Sequence, residues 1–184
     1  MKRLNEMTLE ELWQLFPIVL AEHNFAWENW YNEEVKILKG ILPADTTYYH
    51  IGSTAINGIM AKPIIDILIV VNSLEVMQQV AKILQNNCYL IMSKAENRIS
   101  LNKGYTENGF EEKVFHLHLR LNNDIDEVYF CDYLNNNPKI AKEYEKLKLQ
   151  LWKKFEHNRD AYTDAKTEFV TKYTKLAKQK IIRY

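Results

Sequence analysis

The stretch Pro63-Ile64-Ile65-Asp66-Ile67-Leu68-Ile69-Val70-Val71 decides the fold class of this chain. A run this rich in apolar, β-branched residues is typical of a strand covered on both faces, as at the centre of an α/β sheet. Asp66 is the exception within it. An ionised carboxylate loses its hydration in such a place, so it persists only if it is paired, hydrogen-bonded or bound to a metal. The pattern therefore predicts a buried strand that carries a functional acid.

A second strand and a tight turn precede this stretch. The composition of Thr47–Ile51 is that of a strand, and Gly52-Ser53-Thr54 follows it directly, with Ser53 thirteen residues before Asp66. A glycine–serine turn that leaves one strand, with a carboxylate on the next, can form a phosphate-handling site. We expect Gly52 and Ser53 to bind phosphate, with an ordinary turn as the alternative. Lys62, between them and Asp66, either reaches an anionic ligand or lies in solvent.

The remaining secondary structure follows from capping signals and apolar periodicity. Thr8 and Glu11 form a capping-box pattern for a short helix that ends near Phe16, and Ser73 is a predicted N-cap. Further helices are predicted at about 26–38, 74–85, 124–135, 138–157 and 160–182. Strands are predicted at 88–92, 98–102 and 114–121, with a hairpin loop at 102–112.

This order of elements predicts an α/β (α+β) fold. We expect a mixed β-sheet of four or five strands with flanking helices and a helical C-terminal tail. The 184 residues suggest a single domain, with residues 1–23 as an N-terminal helical extension and residues 124–184 as C-terminal helices that close the cleft.

Composition excludes several classes of protein. Lys+Arg and Asp+Glu both number 24, so the net charge is zero and nucleic acid is not an expected partner. Cys88 and Cys131 lie far apart without zinc-site spacing, and a disulfide framework is not indicated. The acids Glu6, Glu10 and Glu11 argue against a signal peptide. The longest apolar run falls short of the ~20 residues that span a bilayer, so we expect a soluble, cytoplasmic protein.

The segment from His50 to Ile67, HIGSTAINGIMAKPIIDI, resembles the signature HIGSTAVPGLxAKPIIDI of the GrpB family, which belongs to the nucleotidyltransferase superfamily. The likeness covers about residues 24 to 180. It also includes Trp27 with Glu34, Phe115-His116-Leu117-His118, Phe130 with Asp132-Tyr133-Leu134, Tyr144 with Leu147-Lys148, and Tyr162 with Lys166. The chain departs from the family at Asn57, where the family has proline, and at Cys131 and Asn135, where it often has arginine.

The resemblance implies the chemistry of the superfamily. In that chemistry a glycine–serine turn holds a triphosphate, and an Asp-x-Asp pair with a third acid holds two metal ions that support in-line transfer. Here Asp66 is the first acid, but Leu68 stands at the second position and cannot bind magnesium. The implied cofactor is therefore a divalent metal, Mg or Mn, with a nucleoside triphosphate, on an incomplete Asp-x-Asp site.

Two histidines are candidates for the place of the missing acids. The alternating strand at 114–121 places His116, His118 and Arg120 on one face. The histidines could hydrogen-bond Asp66, supply a general base, or ligate a metal, and such a set suits manganese, iron or zinc better than magnesium. The alternative is a pair of strand histidines bound to neighbouring backbone. We predict Asp66 and His118 as catalytic, and Asp66, His116 and His118 as metal ligands.

The helical tail carries a repeated pattern in which a lysine follows a tyrosine by four residues. Lys148 follows Tyr144, and Lys166 follows Tyr162, each within an apolar stripe. Lysines in such positions often extend their ammonium groups into solvent, whereas two instances of one arrangement favour a shared anionic ligand. The predicted ligand- or phosphate-binding residues are Gly52, Ser53, Lys62, Arg98, His116, Tyr144, Lys148 and Lys166.

Two functions fit these residues. One is an enzyme that transfers a nucleotidyl or phosphoryl group to a small acceptor. The other is a non-catalytic module that binds a nucleotide or another phosphorylated metabolite, which Leu68 favours. Both predict a small anionic ligand or nucleotide as the partner, and no membrane. The sequence makes no prediction of oligomeric state.

Overall fold

The structure, a computed structural model, describes residues 2–181, so the predicted helix end at Ile182 lies outside it. Five strands form one sheet in the order β1-β2-β5-β4-β3. β2 and β5 run parallel and the other neighbouring pairs are antiparallel, which confirms the predicted mixed sheet. The strands are β1 (Thr47–Ile51), β2 (Ile64–Val71), β3 (Leu90–Lys94), β4 (Arg98–Thr106) and β5 (Gly109–Leu121).

Helices pack on the sheet, and in the chain they lie before, between and after its strands. They are α1 (Leu9–Leu15), α2 (Ala26–Ile41), α3 (Leu74–Asn86), α4 (Asp126–Asn135), α5 (Pro138–Phe155), α6 (Arg159–Asp164) and α7 (Thr167–Ile181). The predicted caps of α1 and α3 are present, since Thr8 Oγ1 accepts from the Glu11 N–H and Ser73 Oγ accepts from the Val76 N–H. Among residues 2–181, no helix combines the length and the apolar character that a membrane span requires.

Strand β2 is buried on both faces, as its composition predicts. Its odd-numbered residues, such as Ile65 and Ile67, pack with residues of α2 and α3. Its even-numbered residues Leu68 and Val70 pack with residues of α4, α5 and α7. Complete burial of such side chains stabilises the fold by roughly 1.5–3 kcal/mol each. Asp66 therefore faces the layer formed by the C-terminal helices.

The prediction of a hairpin loop at 102–112 is wrong, because β4 continues to Thr106 and β5 already begins at Gly109. Gly104 lies in the strand at a positive φ of 90°, where the register between β4 and β5 shifts. A β-carbon there would meet the backbone of Lys113. The two glycines thus mark a bulge and a tight turn rather than a long loop.

The helix predicted at 160–182 is two helices, because the chain turns at Ala165 and Lys166. The Lys166 N–H bonds to the Thr163 carbonyl at 3.2 Å, and no glycine or proline signals this break in the sequence. Strand β3 begins at Leu90, two residues later than predicted, because Cys88 has a positive φ of 67° and cannot extend the strand.

Candidate functional site

Asp66 lies in the middle of β2 and accepts hydrogen bonds from two histidines of β5. His118 Nε2 is 3.0 Å and His116 Nδ1 is 3.3 Å from the same oxygen, Oδ1. The parallel register, with Asp66 opposite His116 and Leu68 opposite His118, places both rings beside the carboxylate. Burial alone would raise the pKa of Asp66, but the two histidines hold this pKa well below its usual value. Asp66 is therefore ionised.

A guanidinium group fixes the tautomer of His116. Its Nε2 lies 2.8 Å from the Tyr105 hydroxyl and 3.2 Å from Arg159 Nη2. Arginine only donates, so Nε2 accepts and the proton of the neutral ring is on Nδ1, where it is donated to Asp66. Burial lowers the pKa of His116 to about 4, which keeps this ring neutral at pH 7.

His118 has the geometry of a general base. A carboxylate only accepts, so His118 Nε2 donates to Asp66 and the neutral ring has its lone pair on Nδ1. Nδ1 has no hydrogen-bonding partner among residues 2–181, and the side chain lines a cleft beside Asp66. A carboxylate that orients an imidazole in this way is a recurrent arrangement for removing a proton from a hydroxyl.

Gly52 packs directly on the carboxylate of Asp66. Its φ is +73°, and a β-carbon there would overlap Asp66 Oδ2 and lie 3.0 Å from Asp66 Cβ. The turn after Gly52 is a short 3₁₀ helix, Ser53–Ala55. The Ser53 hydroxyl contacts Tyr144, whose pKa is raised by burial. The Cys131 thiol donates to the Gly52 carbonyl at 3.5 Å.

The cleft beside Asp66 has a volume of about 420 Å³. Its base is formed by Gly52, Asp66 and His118, and its walls come from helices α4, α5 and α7. The side chain of Asp66 is 25% exposed, so a ligand in the cleft can reach it. Wall residues on the helices include Phe130, Cys131, Tyr144, Val170, Thr171 and Thr174.

Three predicted lysines and one arginine form a basic cluster near Asp66, which we define as Lys62, Lys148, Lys166 and Arg159, and none of these four lines the cleft itself. The ammonium groups of Lys62 and Lys166 lie 5.2 and 4.4 Å from the centre of the Tyr162 ring. Lys148 lies over the Tyr144 ring and donates to the Met60 carbonyl. Neither Lys62 nor Lys166 has a hydrogen-bond acceptor within the described part of the chain.

Burial and neighbouring positive charges lower the pKa of all three lysines. Burial first, and then the neighbouring positive charges, lower the pKa of Lys62 to about 7 and that of Lys148 to about 7. Burial lowers the pKa of Lys166 to about 8, although Asp66 opposes this change. Asp66 also acts on Lys62, so the cluster and the carboxylate lie within electrostatic range of each other.

Arg98 lies apart from the basic cluster. It begins β4 at the mouth of the cleft, where its guanidinium donates to both carboxylate oxygens of Asp124 at 2.7 Å, and its side chain is 52% exposed. Arg159 and Tyr105 also belong to this site and carry no local signal in the sequence that predicts it. Tyr105 lies within the segment predicted to be a loop, and the position of Arg159 after α5 depends on long-range packing.

The predicted metal ligands are close together but are hydrogen-bonded in a way that disfavours a cation. One ligand atom from each of Asp66, His116 and His118 lies within 4.8 Å of the others. However, Arg159 requires a proton on His116 Nδ1, and a protonated nitrogen cannot ligate. Leu68, at the position of the second acid, is fully buried among apolar residues. This set does not fit a pair of magnesium ions; ligation of a single ion stays a prediction.

The lysines predict an unusual dependence of stability on pH. Unfolded lysines titrate near pH 10.5, whereas the folded ones titrate near 7 to 8. Between these values the unfolded state binds more protons, so the free energy of unfolding should rise from pH 7 to pH 9, by the order of a few kcal/mol. Urea denaturation at pH 7, 8 and 9 measures this rise. Lys148→Met should make it smaller, and a flat or falling profile for the unaltered protein would contradict it.

Comparisons with known proteins identify the family to which the chain is similar. The family model described as "GrpB protein" matches residues 17–176. UPF0157 protein YqkA of Bacillus subtilis is 33% identical over 93% of this chain and 51% of YqkA, so the chain spans about half the length of that relative. Glutamate-rich protein GrpB of Alkalihalophilus pseudofirmus is 32% identical over 83% of this chain and 91% of its own length.

Solved structures also match the chain, one from the GrpB family and others in fold alone. The crystal structure of the conserved protein GrpB from Enterococcus faecalis matches with a TM-score of 0.76 and 29% identity, over 89% of this chain and 99% of the other. The Cid1 poly(U) polymerase with bound Mg 3′-dATP matches with a TM-score of 0.52 and 12% identity, over 85% of this chain and 51% of Cid1. At that identity, the likeness to Cid1 concerns the nucleotidyltransferase-like fold alone.

Proposed function

Since the chain belongs to the GrpB family, we propose that it binds a nucleotide or another phosphorylated metabolite in the cleft beside Asp66. We further propose that it transfers a nucleotidyl or phosphoryl group from this ligand to a small acceptor. The observation that carries the proposal is the basic cluster. Lys62, Lys166 and Arg159 lie beside a single ionised acid, Asp66, and two of the ammonium groups lack an acceptor among residues 2–181. Lysine and arginine are the residues that proteins use to bind phosphate.

The charge balance of the cluster supports an anionic ligand. Lys148 has one nearby acid, Glu145. That acid is already bound to the Lys142 ammonium group at 2.8 Å and accepts from the Met60 N–H at 2.6 Å. Burial, and then the neighbouring positive charges, lower the pKa of each lysine, and a bound phosphate would relieve the repulsion between those charges.

The proposed reaction uses Asp66 and His118 as the catalytic pair. His118 Nδ1 takes the proton of the acceptor hydroxyl, and the freed oxygen forms a bond to phosphorus. The phosphorus–oxygen bond to the leaving phosphate or pyrophosphate breaks, and the leaving group keeps the electron pair. The lysines neutralise its charge, as cationic clamps do in phosphoryl transfer. Asp66 stabilises the imidazolium that forms until its proton passes to solvent.

The second candidate function is binding without catalysis. The observation that favours it is the fully buried Leu68, which packs against Ile51 and Phe130 where a two-metal enzyme has its second acid. A module of this kind would hold the same phosphorylated ligand with the same basic cluster, and Asp66 would then serve only to balance charge.

A nucleotide panel tests both candidates. Cid1 structures carry MgGTP and Mg 3′-dATP, and Cid1 is selective for UTP. GTP, ATP, UTP and CTP are therefore suitable probes, each with and without Mg²⁺ or Mn²⁺. Thermal shift reports binding, and released pyrophosphate or phosphate reports turnover. Turnover supports the enzyme, and stabilisation without turnover supports the binding module. If no nucleotide and no inorganic phosphate stabilises the protein, both candidates are wrong.

Lys166→Ala and Arg98→Ala form a matched pair for the basic cluster. Lys166 has no competing acceptor among residues 2–181, so its loss should weaken inorganic phosphate binding at pH 6.5 about tenfold or more. Arg98 is already bound to Asp124, so its loss should change the affinity less than about twofold. Isothermal titration calorimetry measures both. Equal losses in the two variants would show that phosphate binds at the cleft mouth instead.

A further inference from the structure

The turn after β1 borders a second cavity as well as the cleft beside Asp66. Gly52 lines the cleft, whereas Thr54 and Ala55 line a cavity of about 270 Å³ between this turn and the start of α2. This volume is just under the roughly 300 Å³ at which pockets for drug-sized ligands begin. It suits a single ring system rather than a whole nucleoside triphosphate.

Aromatic rings form one side of this second cavity. The rings of Tyr31 and His50 are stacked, with centres 4.8 Å apart and planes 8° apart. Phe25 is 84% exposed at the edge of the cavity, the highest value among the large exposed hydrophobic side chains of residues 2–181. An exposed phenylalanine beside a stacked pair offers a further flat surface for a planar ligand.

Several polar groups of the cavity lack partners among residues 2–181. The Thr54 hydroxyl donates to the Ile64 carbonyl, so it accepts from His50 Nε2 at 3.1 Å, and the lone pair of the neutral ring is on Nδ1. Burial lowers the pKa of His50 to about 4. The side-chain amides of Asn32 and Asn57 line the cavity and make no hydrogen bonds within the described residues. Nδ1 of His23 is buried and unpaired.

We propose that this second cavity binds a nucleobase, stacked on Phe25 and hydrogen-bonded at its edge by His50 and the two asparagine amides. A nucleobase is planar and uncharged, and it presents both donors and acceptors, as an amide pair and an imidazole lone pair require. Among residues 2–181, Glu28 is the one acid that lines the cavity and no lysine or arginine does, so the phosphate of a nucleotide would not bind here. The inference stands apart from the basic cluster and does not require catalysis.

Free nucleosides test this proposal because they contain a base and no phosphate. Adenosine, guanosine, cytidine and uridine are titrated separately into the whole protein, and amide chemical shifts give the dissociation constants. We expect at least one nucleoside to saturate with shifts at residues around Phe25 and His50. Phe25→Ala should weaken its binding about fivefold or more, because the stacking surface is lost. Asn32→Ala should change the ranking among the four bases, because an edge contact is lost.

Two control variants separate the outcomes. Met92→Ala removes another exposed apolar side chain, 57% exposed on β3 and away from the cavity, and should leave nucleoside binding unchanged. Lys166→Ala should also leave it unchanged, whatever happens to phosphate binding, so failure of the proposed function is distinguishable from failure of this proposal. The proposal is overturned if none of the nucleosides binds, if the shifts lie only in the cleft, or if Phe25→Ala binds as tightly as Met92→Ala.

Discussion

Asp66→Asn is expected to lower turnover by about a hundredfold or more and, at the same time, to strengthen binding of inorganic phosphate at pH 6. The loss of turnover follows because His118 loses the negative charge that stabilises its protonated form, and general bases contribute about 10²–10⁴ to rate. The gain in phosphate binding follows because an acid that repels the anion becomes neutral. The Asn oxygen can still accept from both histidines at the position of Oδ1.

At pH 6 the lysines of the unaltered protein are mostly protonated, because Lys62, Lys148 and Lys166 have pKa values of about 7, 7 and 8. Loss of the Asp66 charge lowers the pKa of Lys62 and Lys166 further, and a pH below 7 keeps the effect of that change on phosphate binding small. Calorimetric titration with inorganic phosphate gives the affinity, and pyrophosphate release gives the rate. Asp45→Asn, the same change at an exposed acid in the turn before β1, should alter neither.

Weaker rather than stronger phosphate binding by Asp66→Asn would indicate that the anion binds at a different site. If Asp66→Asn abolishes phosphate or nucleotide binding, and if binding by the unaltered protein requires Mn²⁺ or Mg²⁺, then the anion is held by a metal on Asp66 rather than by the lysines. Direct titration of Mn²⁺ in the absence of nucleotide completes this test. Retained turnover in Asp66→Asn would remove Asp66 from the catalytic pair.

Gly52→Ala is expected to lower the free energy of unfolding by about 3 kcal/mol or more and to disrupt the site. Gly52 has φ 73° and ψ −171°, a region that is essentially restricted to glycine, and strain of this kind costs about 1–3 kcal/mol. The added β-carbon would also overlap Asp66 Oδ2, so the carboxylate must leave the position in which it accepts from both histidines. Urea denaturation measures the change in stability.

Gly58→Ala is the matched control for this variant. Gly58 has a similar φ of +70°, but a β-carbon there has nothing within 4 Å. The Gly58→Ala variant therefore adds backbone strain without a new side-chain contact, and this strain should lower the free energy of unfolding by about 1–2 kcal/mol. The difference between the two variants combines the cost of the contact with Asp66 and any difference in backbone strain between the two positions. Equal destabilisation by both would mean that the carboxylate moves aside freely and is not held in place by the turn.

The sequence predicted those parts of the site whose signals are local. The apolar run around Asp66 predicted a strand buried on both faces, and strand periodicity put His116 and His118 on one side. The repeated tyrosine–lysine pattern predicted a shared location for Lys148 and Lys166, and the structure brings both lysines together with Lys62.

Other parts depended on packing between distant segments. Tyr105 reaches His116 only because β4 continues through a bulge at Gly104, and glycine indicates loops as often as bulges. Arg159 reaches the same histidine because of the angle at which α6 follows α5, which no local pattern specifies. Arg98 was predicted to bind phosphate; it lines the cleft, where its guanidinium pairs with Asp124, and its part in ligand binding stays a prediction.

The parallel pairing of β2 with β5 has a consequence for the order of folding. Asp66 and His118 are 52 residues apart in sequence, whereas β3, β4 and β5 are joined by short connections and can pair early. The long loop between β2 and β5 must close afterwards, at a cost in chain entropy that slows such contacts. A chain arrested with only the β3–β5 meander would have both histidines but no acid between them, so ligand binding would mark the last stage of assembly.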